Sequence, residues 1–215
     1  MCNMIKVIFT ILVIFCLNIM VEATSKSLVI SGAGDFKDVK LDKVIVSGGA
    51  DITNSEFEAL VISGSMDFTD LKVTELLTIS GSANGNGLEA QRLVTSGSFA
   101  GDNVLITGDV SISGSSMLTN TRMKGETKIS GGLEARNSEF NNLIVNSHEI
   151  TFYDSTAHNI TIEDNKKPSV IQKIILKGNS VILGDVIFKA GNGQIIQDKT
   201  SSVKGKIEGG KLVKS

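Results

Sequence analysis

The sequence has one proline, no tryptophan and one tyrosine, and its two cysteines, Cys2 and Cys16, lie close to the N-terminus. The body of the chain therefore has no disulfide framework, and its stability must come from packing. Aromatic residues make up 5% of the chain, too few for a platform on which bases or sugars stack. Neither sign of charge dominates: 21 Lys+Arg stand against 23 Asp+Glu, for a net charge of −2. A nucleic-acid binder shows a basic surplus instead. With two histidines, His148 and His158, and no cysteine past Cys16, little is left from which to build a transition-metal site. No segment sustains a 3.6-residue apolar period, and hairpin signals are missing, which disfavours helical bundles and β-sandwiches. At 215 residues one folded unit is expected.

Residues 1–23 form a distinct segment. Lys6 is the one charge before the apolar run Val7 to Met20, and Val21-Glu22-Ala23 places small residues where a signal peptidase cuts. The run is about 14 residues, whereas a membrane span needs roughly 20. A cleaved signal peptide is expected, with a retained anchor as the alternative. A lipidated Cys16 is disfavoured by the bulky Phe15 before it. Cleavage would leave a chain with no cysteine and no membrane span, exported to the periplasm, the cell surface or the medium.

The remainder repeats itself. Ser-Gly recurs at Ser31, Ser47, Ser63, Ser80, Ser96, Ser113 and Ser130, each time after a β-branched run such as LVISG or VIVSG. The intervals are 16 or 17 residues, and degenerate turns continue the series at Asn146 and Glu163. Apolar residues fall at fixed offsets from each serine: Leu28/Ile30 before it, Ala50/Ile52 or Met66/Phe68 after it, then Leu71/Val73 or Val104/Ile106. Each i,i+2 pair is a short strand with both side chains on one face. Three such strands per period describe one winding of a triangular prism. Lys128, in the middle of the first strand, marks that position as outward. The expected fold is all-β: a single-stranded, three-faced β-solenoid of about 10 coils, with strands stacked roughly 4.8 Å apart. Each coil buries its inward residues only because its neighbours cover them.

The pattern weakens after Asn146, and residues 163–168, EDNKKP, carry the only proline. The expected organisation is a signal peptide at 1–23, solenoid repeats at 24–163, a loop at 164–170, and C-terminal coils with a lysine-rich tail at 171–215. The tail is either a last coil or a frayed end.

Several residues invite a chemical reading. Asp35, Asp51 and Asp67, followed by Asn84, share one offset and should stack into an outward column. Hard cations favour such oxygen ligands, but the column ends at Ala100, and a solvated face is the expected role. The serine ladder is expected to serve corner geometry, with hydroxyl-to-backbone hydrogen bonds. The histidines come without a nucleophile elbow or HExxH spacing, so Ser147 and Ser155 are not expected to act as nucleophiles. Asn159-Ile160-Thr161 is the one N-glycosylation acceptor pattern. No catalytic, cofactor-binding or metal-binding residue is assigned.

The stretches ADITNSEFEALVISG (50–64) and NSEFNNLIVN (137–146) resemble pentapeptide-repeat proteins over short patches. The wider chain, through GNSVILGDV (178–186) and SVKGKIEG (202–209), resembles the bactofilin-type, polymer-forming right-handed β-solenoids. That resemblance implies right-handed winding and end-to-end assembly. Bactofilins are typically cytoplasmic, whereas this chain begins with an export segment. The expected function is that of an exported, non-enzymatic structural or surface-interaction protein, adhesin-like or self-assembling. Its partners would be copies of itself or cell-envelope polymers, not nucleic acid. The alternative is a β-helix carbohydrate-active enzyme, which the three arginines and the missing tryptophan disfavour.

Overall fold

The structure, a computed structural model, describes residues 27–166 and 170–214. The expected signal peptide at 1–23, with Cys2 and Cys16, lies outside them, as do residues 167–169 of the expected 164–170 loop. The described chain is all-β: 21 strands join in one sheet, every pairing in it parallel, and wind into a solenoid of about 11 turns. The count exceeds the expected 10 because the lysine-rich tail forms a last, partial winding. Gly210–Lys214 pairs in register with Gly193–Gln197.

Each full winding lays down three faces. Face A begins with Ser27–Ile30, and Lys43 pairs above Ser27 one period later. Face B begins with Gly34–Lys37, which stacks on Ala50, Asp51, Ile52 and Thr53. Face C begins at Lys40 and Leu41, in register with Glu56 and Phe57. Buried and exposed side chains alternate along each face of the regular windings, as in Met66–Ile79, where Met66, Phe68, Leu71, Val73, Leu77 and Ile79 are buried. The inward residues form one continuous core: Leu60, Ile62, Phe68 and Val73 belong to a single cluster that runs from Phe36 to Ile195. Lys128 points outward, as its position predicts. Ring pairs bridge successive windings, with centroids 5.6 Å apart for Phe36–Phe57 and 5.8 Å for Phe140–Phe152.

The three corners differ. Three windings run unbroken around both the B–C and C–A corners, Ala50–Ile62, Met66–Ile79 and Ala83–Thr95; in the others the strand breaks at one or both of these corners as well, and it breaks at every Ser-Gly corner. The glycine there answers a close approach and not a positive φ. A Cβ on Gly64 or Gly131 would stand 2.6 Å from the carbonyl oxygen of the glycine one winding below. The B–C corner is turned by one residue in the left-handed region: Asp38, Asn54, Asp70, Asn103, Asn120, Asn137 and Asp154, with Gly87 and Gly178 in the same place in their windings. Asn, Asp and Gly tolerate this conformation best.

The loop begins where face A of the ninth winding ends at Ile162, and the chain rejoins face B at Gln172–Lys177. Gln172, fully buried, donates its side-chain N–H to Glu163 O (2.7 Å) and Ser147 O (3.3 Å), which closes the base of the excursion. Sequence separations between stacked partners rise here from 16 or 17 to 26, and then to 21, yet the three faces stay in register.

Candidate functional site

Face B carries the sequence-predicted acidic column. Asp35, Asp51, Asp67 and Asn84 pair in register and are exposed, and Asn84 donates to Asp67 Oδ1 at 3.4 Å. Beside them run Thr53, Thr69 and Asn86, and together these side chains line a shallow open depression over Ile52 and Phe68. A second shallow depression lies at mid-rod on the same face, between Ala100, Met117, Glu134 and the small residues Ser98, Ser115 and Gly132. Among the described residues no three His, Cys, Asp or Glu side chains converge as a metal-ligand group.

The serine ladder takes its expected place at the A–B corner, but its chemistry differs. The seven serines are exposed, and no hydrogen bond among the described residues engages their hydroxyls. The bonds at this corner are backbone ones, such as Ser63 N–H to Val46 O (2.8 Å) and Gly64 N–H to Gly48 O (3.0 Å). Hydroxyl-to-backbone bonds occur two residues further on, where Ser82 Oγ accepts from Ser98 N–H and Ser115 Oγ from Gly132 N–H, each at 3.3 Å.

A second hydroxyl ladder went unread in the sequence because its members look like ordinary polar corner residues. Thr121, Ser138, Ser155 and Ser180 occupy the inward position that Leu71, Leu88 and Val104 fill in earlier windings, and they are as deeply buried. Ser138 Oγ donates to Arg136 O (2.7 Å) and accepts from Thr121 N–H (3.1 Å). Ser155 repeats the pattern with Tyr153 O (2.7 Å) and Ser138 N–H (3.0 Å). Each of these two serine hydroxyls thus satisfies one carbonyl of its own winding and one N–H of the winding before. The signal was available: from residue 121 a hydroxyl residue follows each Asn or Asp of the B–C corner.

His148 and His158 are exposed and sit on different corners, at the entry to face B and at the end of face C. Ser155 is buried in the hydroxyl ladder, and Ser147 Oγ donates to Glu149 O (3.0 Å). No nucleophile–histidine–acid set forms from these residues. Asn159, in the one glycosylation pattern, is half-buried. Its side chain donates to Asn142 Oδ1 (2.9 Å) and accepts from Asp185 N–H (3.0 Å).

Ion pairs run between windings on the surface. Arg122 grips Glu139 with two hydrogen bonds of 2.7 and 3.0 Å, which hold the Glu139 carboxyl below its ordinary range and raise the guanidinium. Asp198 stands alone in its environment. The Ser201 side chain first, then the N–H groups of Gly178 (2.7 Å) and Ser201 (2.9 Å) and the Thr200 hydroxyl, lower its pKa to about 2. This carboxylate takes over the corner that left-handed Asn and Asp residues turn elsewhere. Around Tyr153, on the rim of face B, the Arg136 guanidinium lies 4.0 Å from the ring centroid and Lys177 Nζ 5.0 Å.

No protein-family model, curated protein or solved structure matches the chain.

Proposed function

We propose that the chain is an exported, non-enzymatic β-solenoid with a structural or surface-interaction role, adhesin-like or self-assembling, and kin to the bactofilin-type polymer-forming solenoids. The observation that carries this reading is the register of the outward columns. On face B one position is repeated from Asp35 through Asp51, Asp67, Asn84, Ala100 and Met117 to Glu134 and beyond. Columns of this kind offer one like-placed side chain about every 4.8 Å. They suit many weak, equivalent contacts with a repeating partner, such as a cell-envelope polymer or another copy. Self-association draws further support from the exposed Leu212 and Val213 on the last strand, whose outer edge is open among the described residues.

The test is made on the exported protein. Light scattering and electron microscopy over a range of concentrations read self-association, sedimentation with isolated envelope polymers reads binding, and protease shaving of intact cells reads location. Concentration-dependent assembly or polymer binding is expected. A monomer at every concentration that sediments with no envelope polymer would overturn the reading. Cleavage of a polysaccharide, abolished by changing one acidic residue, would replace it with the carbohydrate-active alternative.

A further inference from the structure

Charge is distributed along the rod with a strong bias that the near-neutral total conceals. Residues 27–90 hold ten acidic side chains against four lysines, whereas residues 170–214 hold eight lysines against three acidic side chains. Apolar exposure is biased the same way: Ile171, Leu183, Leu212 and Val213 are among the exposed large hydrophobics. The two biases meet on face B. There Ile175, Ile196 and Val213 pair in register and form an outward aliphatic ridge. Lys173 and Lys177 flank Ile175 on its own strand, and Lys211 flanks Val213. The alternating burial of Gln172–Lys177 and Gly193–Gln197 fixes which side chains face out.

We propose that this C-terminal part of face B docks on an anionic lipid surface. The ridge is flat and β-branched and spans two winding intervals, about 10 Å, which suits shallow insertion at the boundary between headgroups and acyl chains. Lysine stems can lie along such a ridge while their ammonium groups reach lipid phosphates. Tyr153 extends the surface by one winding, with the Arg136 and Lys177 cations held at its ring. No ion pair among the described residues neutralises Lys173, Lys177 or Lys211. The acidic neighbours are Glu134, paired with Arg136 at 2.7 Å and two windings from Ile175, Glu149, in register with Lys173, and Asp198, whose carboxylate is occupied by backbone N–H groups.

A second copy laid antiparallel on this face would also match charge with charge. It would press Asp35, Asp51 and Asp67 against the aliphatic ridge, however, and burying carboxylates against apolar surface is unfavourable. A lipid surface satisfies both the cations and the ridge. The inference narrows the surface-interaction reading to one face and one surface chemistry, and it rests on that reading only for the compartment.

The experiment is co-sedimentation of the exported protein with phosphatidylcholine vesicles, with and without phosphatidylglycerol. Binding to the anionic vesicles alone, weakening as salt rises, is expected. Each lysine near an anionic surface contributes roughly fivefold. The triple change Lys173→Gln, Lys177→Gln, Lys211→Gln should therefore lower the partition coefficient about a hundredfold. Ile196→Ser should lower it severalfold with unchanged circular dichroism, and it serves on its own if the triple variant does not fold. Asp51→Asn with Asp67→Asn, at the other end of the face, should not reduce it. Three results would overturn the proposal: vesicle binding indifferent to these changes, binding to soluble polyphosphate but not to vesicles, or a lysine-dependent dimer that binds no lipid. Failure here leaves polymer binding and self-association standing, because those are read without vesicles.

Discussion

The first eight windings and the last three solve the same packing problem with different corners. In the early windings partners recur every 16 or 17 residues, one left-handed Asn, Asp or Gly turns the B–C corner, and stacked glycines close the Ser-Gly corner. In the late windings the interval stretches to 26 and 21 residues; Gly178 still turns the ninth B–C corner left-handed, while Gln172 closes the base of the excursion and Asp198 holds the corner after it. Through both, Leu143, Ile160, Val186 and Ile207 stay in register on face A. The faces carry the solenoid because each strand must meet its equivalents above and below. The corners need only return the chain to the right place, and extra length there costs little once its polar groups are satisfied.

The comparison breaks most visibly in the core. Leu60→Ala, in a fully buried position of a regular winding, should destabilise by about 3–5 kcal/mol, whereas Ile207→Ala, half-buried in the last winding, should cost no more than about 1 kcal/mol. Denaturant unfolding of the two variants measures both, and equal losses would mean that the end winding is packed like the middle. Next in size is the glycine corner. Gly64→Ala places a methyl against backbone and should cost about 1–3 kcal/mol, while Gly32→Ala, with nothing within 4 Å, should be near neutral by thermal melting. The buried hydroxyl ladder tests a polar inward position against the apolar one that Leu71 and Leu88 fill. Ser138→Ala leaves Thr121 N–H and Arg136 O without their partner and should cost about 1–3 kcal/mol, with faster amide exchange at Thr121.

The smallest effect is the pH dependence that Asp198 adds in the late windings. The folded pKa of Asp198, about 2, lies below its ordinary 3.8, so the stability it contributes is complete above the unfolded value and disappears as pH falls through about 2. The wild-type melting temperature should therefore fall more steeply than that of Asp198→Asn between pH 5 and 2.5. Identical slopes would show that the carboxylate contributes nothing to the corner.

Much of this was legible in advance. The 16–17 period, the inward pairs and the outward position of Lys128 follow from the residues alone, because a parallel stack forces like positions onto like. The acidic column of Asp35, Asp51 and Asp67 was legible for the same reason. The reason for the glycines, the idle hydroxyls of the Ser-Gly serines and the buried role of Ser138 and Ser155 were not. A serine beside a corner reads the same whether it points in or out, and only the path of the backbone decides. The tail was equally ambiguous: Leu212 and Val213 among lysines fit a frayed end as well as a strand, until pairing with Ile195 and Ile196 places them.

By itself the sequence determined the solenoid, its period and the contents of its core, since a repeated apolar spacing has one way to bury itself. Tertiary structure alone decided which corner hydroxyls are interior, how a 26-residue winding rejoins the stack, and which lysines gather beside the Ile175–Ile196–Val213 ridge. Those outcomes depend on residues far apart in the chain meeting across windings, where local spacing carries no information.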